Sequence, residues 1–271
     1  MILPPSAGVI GWPVGHSKSP LIHRFWLAKL GLDGDYGRFP VHPDSLGTAI
    51  RALPPLGLRG VNVTVPHKVA VMAYLDRVDP VAERIGAVNT VITGDGTLTG
   101  FNTDAAGFLD PLGALVQGFQ TVVVIGAGGA ARAVIAAVSD AGVKDIIVVN
   151  RSAGKAVALM DEFSALGCTE ILHPGLCVTP CDLLVNATSL GMAGQPPLDI
   201  VLDDLDPSTI VYDIVYSPLE TPLLAAARAH GMRTIDGLQM LVGQAAAAFE
   251  LFFGQPAPRQ HDAELRALLT A

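Results

Sequence analysis

One stretch limits the fold more than any other. Residues Thr121 to Ile125 read TVVVI, and Gly126-Ala127-Gly128-Gly129-Ala130-Ala131 follows at once, ahead of an alanine-rich segment. An unbroken apolar run of this length is what a parallel strand buried on both faces requires. The six residues after it match G-x-G-x-x-A in a strand–turn–helix frame. In that frame Gly126 permits the tight turn, Gly128 lets a pyrophosphate approach the backbone, and small Ala131 lets helix and strand pack closely. The unpaired N–H groups of the helix start then attract phosphate. A purely structural glycine turn is the plain alternative, and the frame favours dinucleotide binding.

The remainder of this half keeps the same rhythm. Asp145–Val149 (DIIVV), a helical stretch, Leu183–Val185 and Ile210–Tyr212 succeed one another, predicting a doubly wound α/β sheet. The first hundred residues have a different texture. They predict a smaller α/β domain, with strands at Tyr36–Val41 and Gly60–Val65 and helices at Pro20–Leu30, Asp44–Leu53 and Pro66–Leu75. Ala87–Thr93 and Thr97–Phe101 flank Gly94-Asp95-Gly96, a hairpin signal. A length of 271 residues suits two such domains. Gly237–Phe253 puts Leu238, Leu241, Val242, Ala245, Ala248, Phe249 and Phe252 on one helical face, with Gln244 at its border. That helix returns to the first domain in our reading. Gln244 is either aimed into a cleft or a polar residue at the rim of an apolar stripe.

Composition narrows the class of partner. There are 17 basic and 25 acidic residues, for a net charge of −8, with no dense Lys/Arg cluster. This argues against a nucleic-acid binder. Cys168, Cys177 and Cys181 cannot pair completely and have no zinc-type spacing, so we expect free thiols, no metal and a cytoplasmic protein. The apolar beginning lacks a basic flank and is broken by prolines, so no signal peptide is expected. The longest uncharged run, Pro111 to Ala131, carries five glycines and does not read as a membrane span.

Cofactor preference is written where the second strand of the glycine-loop half ends. An Asp or Glu there takes the ribose 2′-hydroxyl of NAD, but this chain has Asn150-Arg151-Ser152, with Lys155 following. Two cations and a hydroxyl suit a 2′-phosphate, so NADP is expected, against the alternative of ordinary solvated charges. In the first half, four short polar segments stand out from an apolar background: residues 16–20, 62–68, 86–90 and 102–104. Ser19-Pro20 also fits a helix cap with proline at the first position. Asp104 also fits a capping acid. Lys68 would fall in the first turn of the helix opened by Pro66, against the helix dipole, which suggests a task for it. Asn62 and Thr64 share a strand face, and Asn89 is open to an ordinary structural reading.

These segments lie in motifs that resemble the shikimate dehydrogenase family along nearly the whole chain. The motifs are GWPVGHSKSP, GVNVTVPHK, IGAVNT, GFNTDAAGF, VIGAGGAARA, NRS with Lys155, VNATSLGM, VYDIVYSP and DGLQMLVGQAAAAFE. The resemblance implies an N-terminal α/β substrate domain, residues 1–103 with 238–271, and a Rossmann-type doubly wound NADP-binding domain, residues 104–237. It implies reversible reduction of 3-dehydroshikimate to shikimate by NADPH, in the supply of chorismate and aromatic amino acids. Ser17 and Ser19 would hold the substrate carboxylate. Asn62, Thr64, Asn89, Asp104 and Gln244 would hold ring hydroxyls, with Tyr216 nearby, and Lys68 and Asp104 would form the catalytic pair. Gly126, Ala127, Gly128, Gly129, Ala130 and Ala131 would cradle the pyrophosphate. Asn150, Arg151, Ser152 and Lys155 would surround the 2′-phosphate, and Thr188, Ser189, Ile214 and Gly237 would line the rest of the cofactor site. Lys18, inside the first motif, is read as serving the anionic substrate.

Ala105, Gln239 and Arg24 depart from the usual pattern without removing a catalytic group. Partners are then a small-molecule substrate, with no nucleic acid and no membrane, for a monomer or homodimer. Quinate or aminoshikimate dehydrogenase of the same family is the alternative. A non-catalytic NADPH-responsive regulator and a methylene-carrier dehydrogenase are the more distant ones.

Overall fold

A computed structural model describes residues 4–163 and 169–271; Cys168, one of the three expected free thiols, lies outside the described residues. The chain divides into two compact units, Met1–Gly107 with Leu241–Ala271, and Phe108–Met240. The divisions fall a few residues beyond the 103/104 and 237/238 boundaries expected from the sequence.

The first unit is built on a six-stranded mixed sheet. Its strands are β1 (Ser6–Gly11), β2 (Asp35–Pro40), β3 (Leu58–Val63), β4 (Arg77–Val78), β5 (Thr90–Gly94) and β6 (Thr97–Phe101), in the order β2-β1-β3-β5-β6-β4. The period of two sorts the side chains of β1. Ala7 and Val9 join Tyr36 and, from helix α8 (Gly237–Phe253), Ala248 and Phe252. Ile10 turns the other way, to Val61, Val63 and Val91 and to Leu46 and Ile50 of helix α2 (Leu46–Ala52). Gly60 is the point of closest approach on β3. A side chain there would meet the Val91 carbonyl at 2.1 Å and the Phe252 ring at 2.9 Å.

β5 and β6 form the expected antiparallel hairpin, with Asp95 and Gly96 both at positive φ, 49° and 77°, as a two-residue turn of this hand demands. The rest of this unit's helices are α1 (Ser19–Leu30), α3 (Pro80–Ile85), α4 (Asp104–Leu109) and α9 (Asp262–Thr270).

The expected helix at Pro66–Leu75 is not formed. His67 is buried, with its ring Nε2 2.8 Å from the Val41 carbonyl, and this anchor holds residues 64–69 as turns. A short 3₁₀ helix follows at Ala70–Tyr74. Lys68 therefore stands on a turn and opposes no helix dipole.

The second unit carries six parallel strands: β7 (Thr121–Ile125), β8 (Asp145–Asn150), β9 (Thr169–Ile171), β11 (Leu183–Asn186), β13 (Ile210–Asp213) and β14 (Arg233–Asp236). Their order is β9-β8-β7-β11-β13-β14. In chain order this is 3-2-1-4-5-6, the doubly wound dinucleotide-binding arrangement, whose direction reverses between β7 and β11. β10 (Leu176–Cys177) and β12 (Ile200–Val201) pair as a separate small parallel sheet. Helices α5 (Gly129–Asp140), α6 (Ala153–Phe163) and α7 (Pro222–Ala229) complete the βαβ crossovers. The core is a layer of Val123, Ile125, Val149, Leu184, Val211 and their neighbours. Among the described residues no helix is long and apolar enough to cross a membrane.

The first unit also buries a histidine in an apolar setting. His23 of α1 stacks flat on Tyr36, with ring centroids 4.0 Å apart and planes 3° from parallel, and Trp26 and Phe249 close around it. Neither ring nitrogen has a hydrogen-bond partner. Burial pulls its pKa from the ordinary 6.5 down to about 3, so the ring is neutral in the folded protein. The unfolded chain binds the proton more readily. The contribution of His23 to stability is therefore complete above pH 6.5 and declines as pH falls toward 3. At 1.36 kcal/mol per pH unit, the wild type should lose about 2 kcal/mol more than His23→Phe between pH 7 and pH 5. Urea denaturation of both proteins at the two pH values measures this, and parallel losses would refute it.

Candidate functional site

The polar segments of the first unit converge through one run of hydrogen bonds. Tyr36 Oη donates to Asn62 Oδ1 (2.6 Å), Asn62 Nδ2 to Thr90 Oγ1 (2.9 Å), and Thr90 Oγ1 to Asn89 Oδ1 (3.0 Å). Asn89 Nδ2 donates to Thr103 Oγ1 and to Asp104 Oδ1, both at 2.9 Å. The other Asp104 oxygen, Oδ2, accepts from Lys68 Nζ at 2.6 Å. The lysine side chain is 17% exposed and the carboxylate 6%. The pair is thus shielded from water on most sides while the ammonium still reaches an open face. Asp104 is the first residue of α4, but it does not cap that helix. Asn102 Oδ1 accepts from the Asp104 amide instead (3.0 Å), which leaves the carboxylate for Lys68 and Asn89.

Sequence distance hides this grouping: β2, β3 and the turn at residues 64–69 supply one member each, and residues 89–90 at the start of β5 and 103–104 at the start of α4 supply two each. Tyr36 lies outside the polar segments marked in the sequence, and Thr90 and Thr103 lie inside them without having been given a role. Burial pushes the Tyr36 hydroxyl well above the usual phenol range, which keeps it a donor. Thr64 lies one residue past the end of β3 and is half-buried. Gln244 is buried rather than at a rim, its Nε2 donating to the Leu241 carbonyl of its own helix (2.7 Å). It is fixed near α4 because Gly107 leaves no gap there. A side chain on Gly107 would meet the Gln244 amide nitrogen at 2.4 Å.

Ser17 and Ser19 face each other with their hydroxyls 3.2 Å apart, and both are buried. Lys18, not Ser19, stands at the cap position of α1, and no side chain caps the helix. The capping explanation for Ser19 is thereby removed. Lys18 does not serve an anion here, because its ammonium donates to the Leu269 carbonyl near the end of α9. Lys29 is likewise paired, with Glu264 at 2.7 Å. Of the departures from the family pattern, Arg24 forms an exposed ion pair with Asp35, and Gln239 Nε2 lies 3.4 Å from Asp236 Oδ2.

In the second unit the glycine loop sits where the strand order reverses. Gly126 has φ +118°, and a side chain on it would press on the Ala187 carbonyl at 3.0 Å and on Thr188 Cγ2 at 3.1 Å. Glycine is required on both counts. Gly128 caps α5, is exposed, and would have nothing within 4 Å of a side-chain carbon. No side chain caps this helix, so its first-turn amides are open to an anion, and Ala131 is fully buried against the sheet. At the end of β8, Asn150 Nδ2 donates to the Ser152 carbonyl (2.9 Å), and Arg151, Ser152 and Lys155 are all exposed. This donor set fits a dinucleotide phosphate and a 2′-phosphate.

Thr188 is held by Asn186, whose Oδ1 accepts from both its amide (3.1 Å) and its hydroxyl (2.7 Å). Asn186 Nδ2 donates in turn to Asp213 Oδ1 (2.9 Å). Asp213 also accepts from the Val215 amide and the Thr221 hydroxyl, and burial raises its pKa above the usual range. Ser189 is exposed, and Ile214 and Tyr216 are half-buried. Gly237 rests on the Ile214 backbone so closely that a side chain would lie 2.1 Å from its carbonyl. Among the described residues, no three His, Cys, Asp or Glu side chains gather as a metal site would need. Cys177 and Cys181 are free thiols, and burial pushes the second up to about 12.

Comparison with known proteins agrees with this layout. The family model described as the shikimate dehydrogenase substrate-binding domain matches residues 9–91. That of shikimate/quinate 5-dehydrogenase matches residues 115–192, and that of the shikimate 5′-dehydrogenase C-terminal domain residues 237–264. A protein of Sphingopyxis alaskensis named shikimate dehydrogenase (NADP(+)) is 54% identical over 98% of this chain and 97% of its own. The ligand-free 5-ketofructose reductase of a Gluconobacter strain superposes with a TM-score of 0.90 at 31% identity, over 99% of this chain and all of that one. Shikimate 5-dehydrogenase of Thermus thermophilus, solved with NADP(H) and shikimate, gives 0.83 at 37% identity, over 97% and 99%. With matches in both units and a relative more than half identical over nearly its full length, the chain belongs to the shikimate dehydrogenase family.

Proposed function

We propose that this protein is an NADP-dependent shikimate dehydrogenase, interconverting 3-dehydroshikimate and shikimate in the supply of chorismate and aromatic amino acids. The observation that carries the reading is the Lys68–Asp104 pair, a shielded ammonium 2.6 Å from a carboxylate that Asn89 holds from its other side. Bound NADPH supplies the hydride that reduces the C3 carbonyl. Lys68 then has two tasks: its positive charge stabilises the oxygen as negative charge develops there, and it delivers the proton that makes the hydroxyl. Asp104 Oδ2 fixes the direction of the ammonium, and Asn89 fixes Asp104. Groups held by hydrogen bonds in this way need little reorganisation as charge develops.

Ser17 and Ser19 hold the substrate carboxylate with two neighbouring hydroxyls, while Asn62, Thr64, Asn89, Asp104 and Gln244 take the ring hydroxyls and Tyr216 closes the pocket. The glycine loop Gly126–Ala131 binds the pyrophosphate. Asn150, Arg151, Ser152 and Lys155 take the 2′-phosphate, and Thr188, Ser189, Ile214 and Gly237 line the rest. The substrate partner is a small molecule. The same reading makes the protein a cytoplasmic monomer or homodimer. The paired serines favour shikimate over 5-ketofructose, which has no carboxylate.

Three measurements test the assignment. Oxidation of shikimate, quinate, aminoshikimate and a neutral polyol, each with NADP⁺ and NAD⁺, should give the highest kcat/KM for shikimate with NADP⁺. A clear preference for quinate with NAD⁺ would move the protein to the alternative. Lys68→Ala should lower kcat by at least ~10²-fold with modest change in KM, and an unchanged kcat would remove Lys68 from the chemistry. Arg151→Ala should raise the KM for NADP⁺ by roughly 10-fold or more, the worth of a charge-assisted contact, while leaving that for NAD⁺ nearly constant. Equal changes for both cofactors would contradict a 2′-phosphate contact.

A further inference from the structure

A carboxylate held by two neutral hydroxyls lacks a counter-charge, and the basic residue nearest in sequence is unavailable because Lys18 is bonded to the Leu269 carbonyl. The structure supplies a different cation. Arg38, on β2, donates from Nε (2.9 Å) and Nη2 (2.6 Å) to the carbonyl oxygen of Ser17. It has no carboxylate partner among the described residues. The acceptor is an uncharged carbonyl, so no partner charge offsets the guanidinium. A serine carbonyl oxygen and its own hydroxyl oxygen are four covalent bonds apart, which sets the guanidinium on the order of 6 Å from the Ser17 hydroxyl. Arg38 is itself exposed, so water screens part of this charge, and at that range it still acts, at reduced strength, on any anion the hydroxyl holds. The fork of two donors also fixes the Ser17 carbonyl, and through it the direction of the side chain.

We infer that Arg38 is the specificity-determining cation of the carboxylate subsite: it fixes the loop carrying Ser17 and makes the site prefer a charged carboxylate over a neutral group of similar shape. The inference rests on the reading that Ser17 and Ser19 receive the substrate carboxylate. It adds a residue that does not itself touch the substrate and that the sequence motifs left out.

The test compares shikimate with its methyl ester as substrates for wild type, Arg38→Gln and Arg38→Lys, all with saturating NADP⁺. Wild type should favour shikimate in kcat/KM. Arg38→Gln should narrow that preference about 10-fold, mainly through a higher KM for shikimate, with the KM for the ester nearly unchanged. Arg38→Lys, which keeps the charge and loses the fork, should retain most of the preference. A generally loosened structure would weaken both substrates alike. Unchanged preference in Arg38→Gln, or equal loss in the Gln and Lys variants, overturns the inference. A wild type that oxidises neither substrate overturns instead the functional reading beneath it. Thermal unfolding of each variant guards against a folding defect. If Arg38→Gln does not fold, Arg38→Lys decides alone, and loss of its preference overturns the inference.

Discussion

Asn89 occupies the centre of the first unit's polar chemistry, and the geometry of the Lys68–Asp104 pair follows from it. Its amide nitrogen holds one oxygen of Asp104, and its amide oxygen accepts from the Thr103 backbone (2.8 Å). The end of β6 and the start of α4 are therefore pinned to a single side chain. With one carboxylate oxygen committed to Asn89, the other faces Lys68 in one orientation. The run behind it, through Thr90 and Asn62 to Tyr36, satisfies each buried polar group with the next. A buried polar network is stable when every member is paired, and it then specifies a single arrangement. The stacked pair of Tyr36 and neutral His23 closes the run against the apolar core.

The second unit solves a similar problem with a carboxylate. Asp213 lies at the end of β13, and its oxygens gather an amide from Asn186, a hydroxyl from Thr221 and a backbone N–H from Val215. The end of β11, the turn after β13 and the cap of α7 are three chain segments tied at one point. One of them carries Thr188, whose neighbour Ala187 leaves no room for a side chain on Gly126 at the place where the strand order reverses. The shape of the glycine loop thus depends on a residue some ninety positions later in the chain, through contacts that are short, buried and hydrogen-bonded.

The glycine loop was legible because its requirements are local: a buried strand, a positive φ and an open helix start all fall within a dozen residues. The Asp95-Gly96 turn was legible for the same reason. The pair of Lys68 and Asp104 was legible only through family motifs, since nothing in the spacing of 36 residues brings them together. Where local rules were extended beyond their reach they failed. Pro66 suggested a helix, but the anchor of His67 on the Val41 carbonyl lies in a different part of the chain and could not be read from residues 66–75. Lys18 looked like an anion ligand because it lies inside a family motif, and its partner is a carbonyl 251 positions away. Arg38 and Asp213 carry no local signal, for their value comes entirely from what the fold sets opposite them.

The first unit is discontinuous in sequence, and this has a consequence for the order of assembly. Ala248 and Phe252, which cover Tyr36, and Gln244, which meets Gly107, are made only after the whole of Phe108–Met240 has been synthesised. A nascent chain holds the complete second unit while β1 and β3 still lack the helix that seals one face of their sheet. The polar run from Tyr36 to Asp104 stays open to water through that interval. Domains tend to fold as units while they emerge, so here the later segment of sequence is the earlier finished structure.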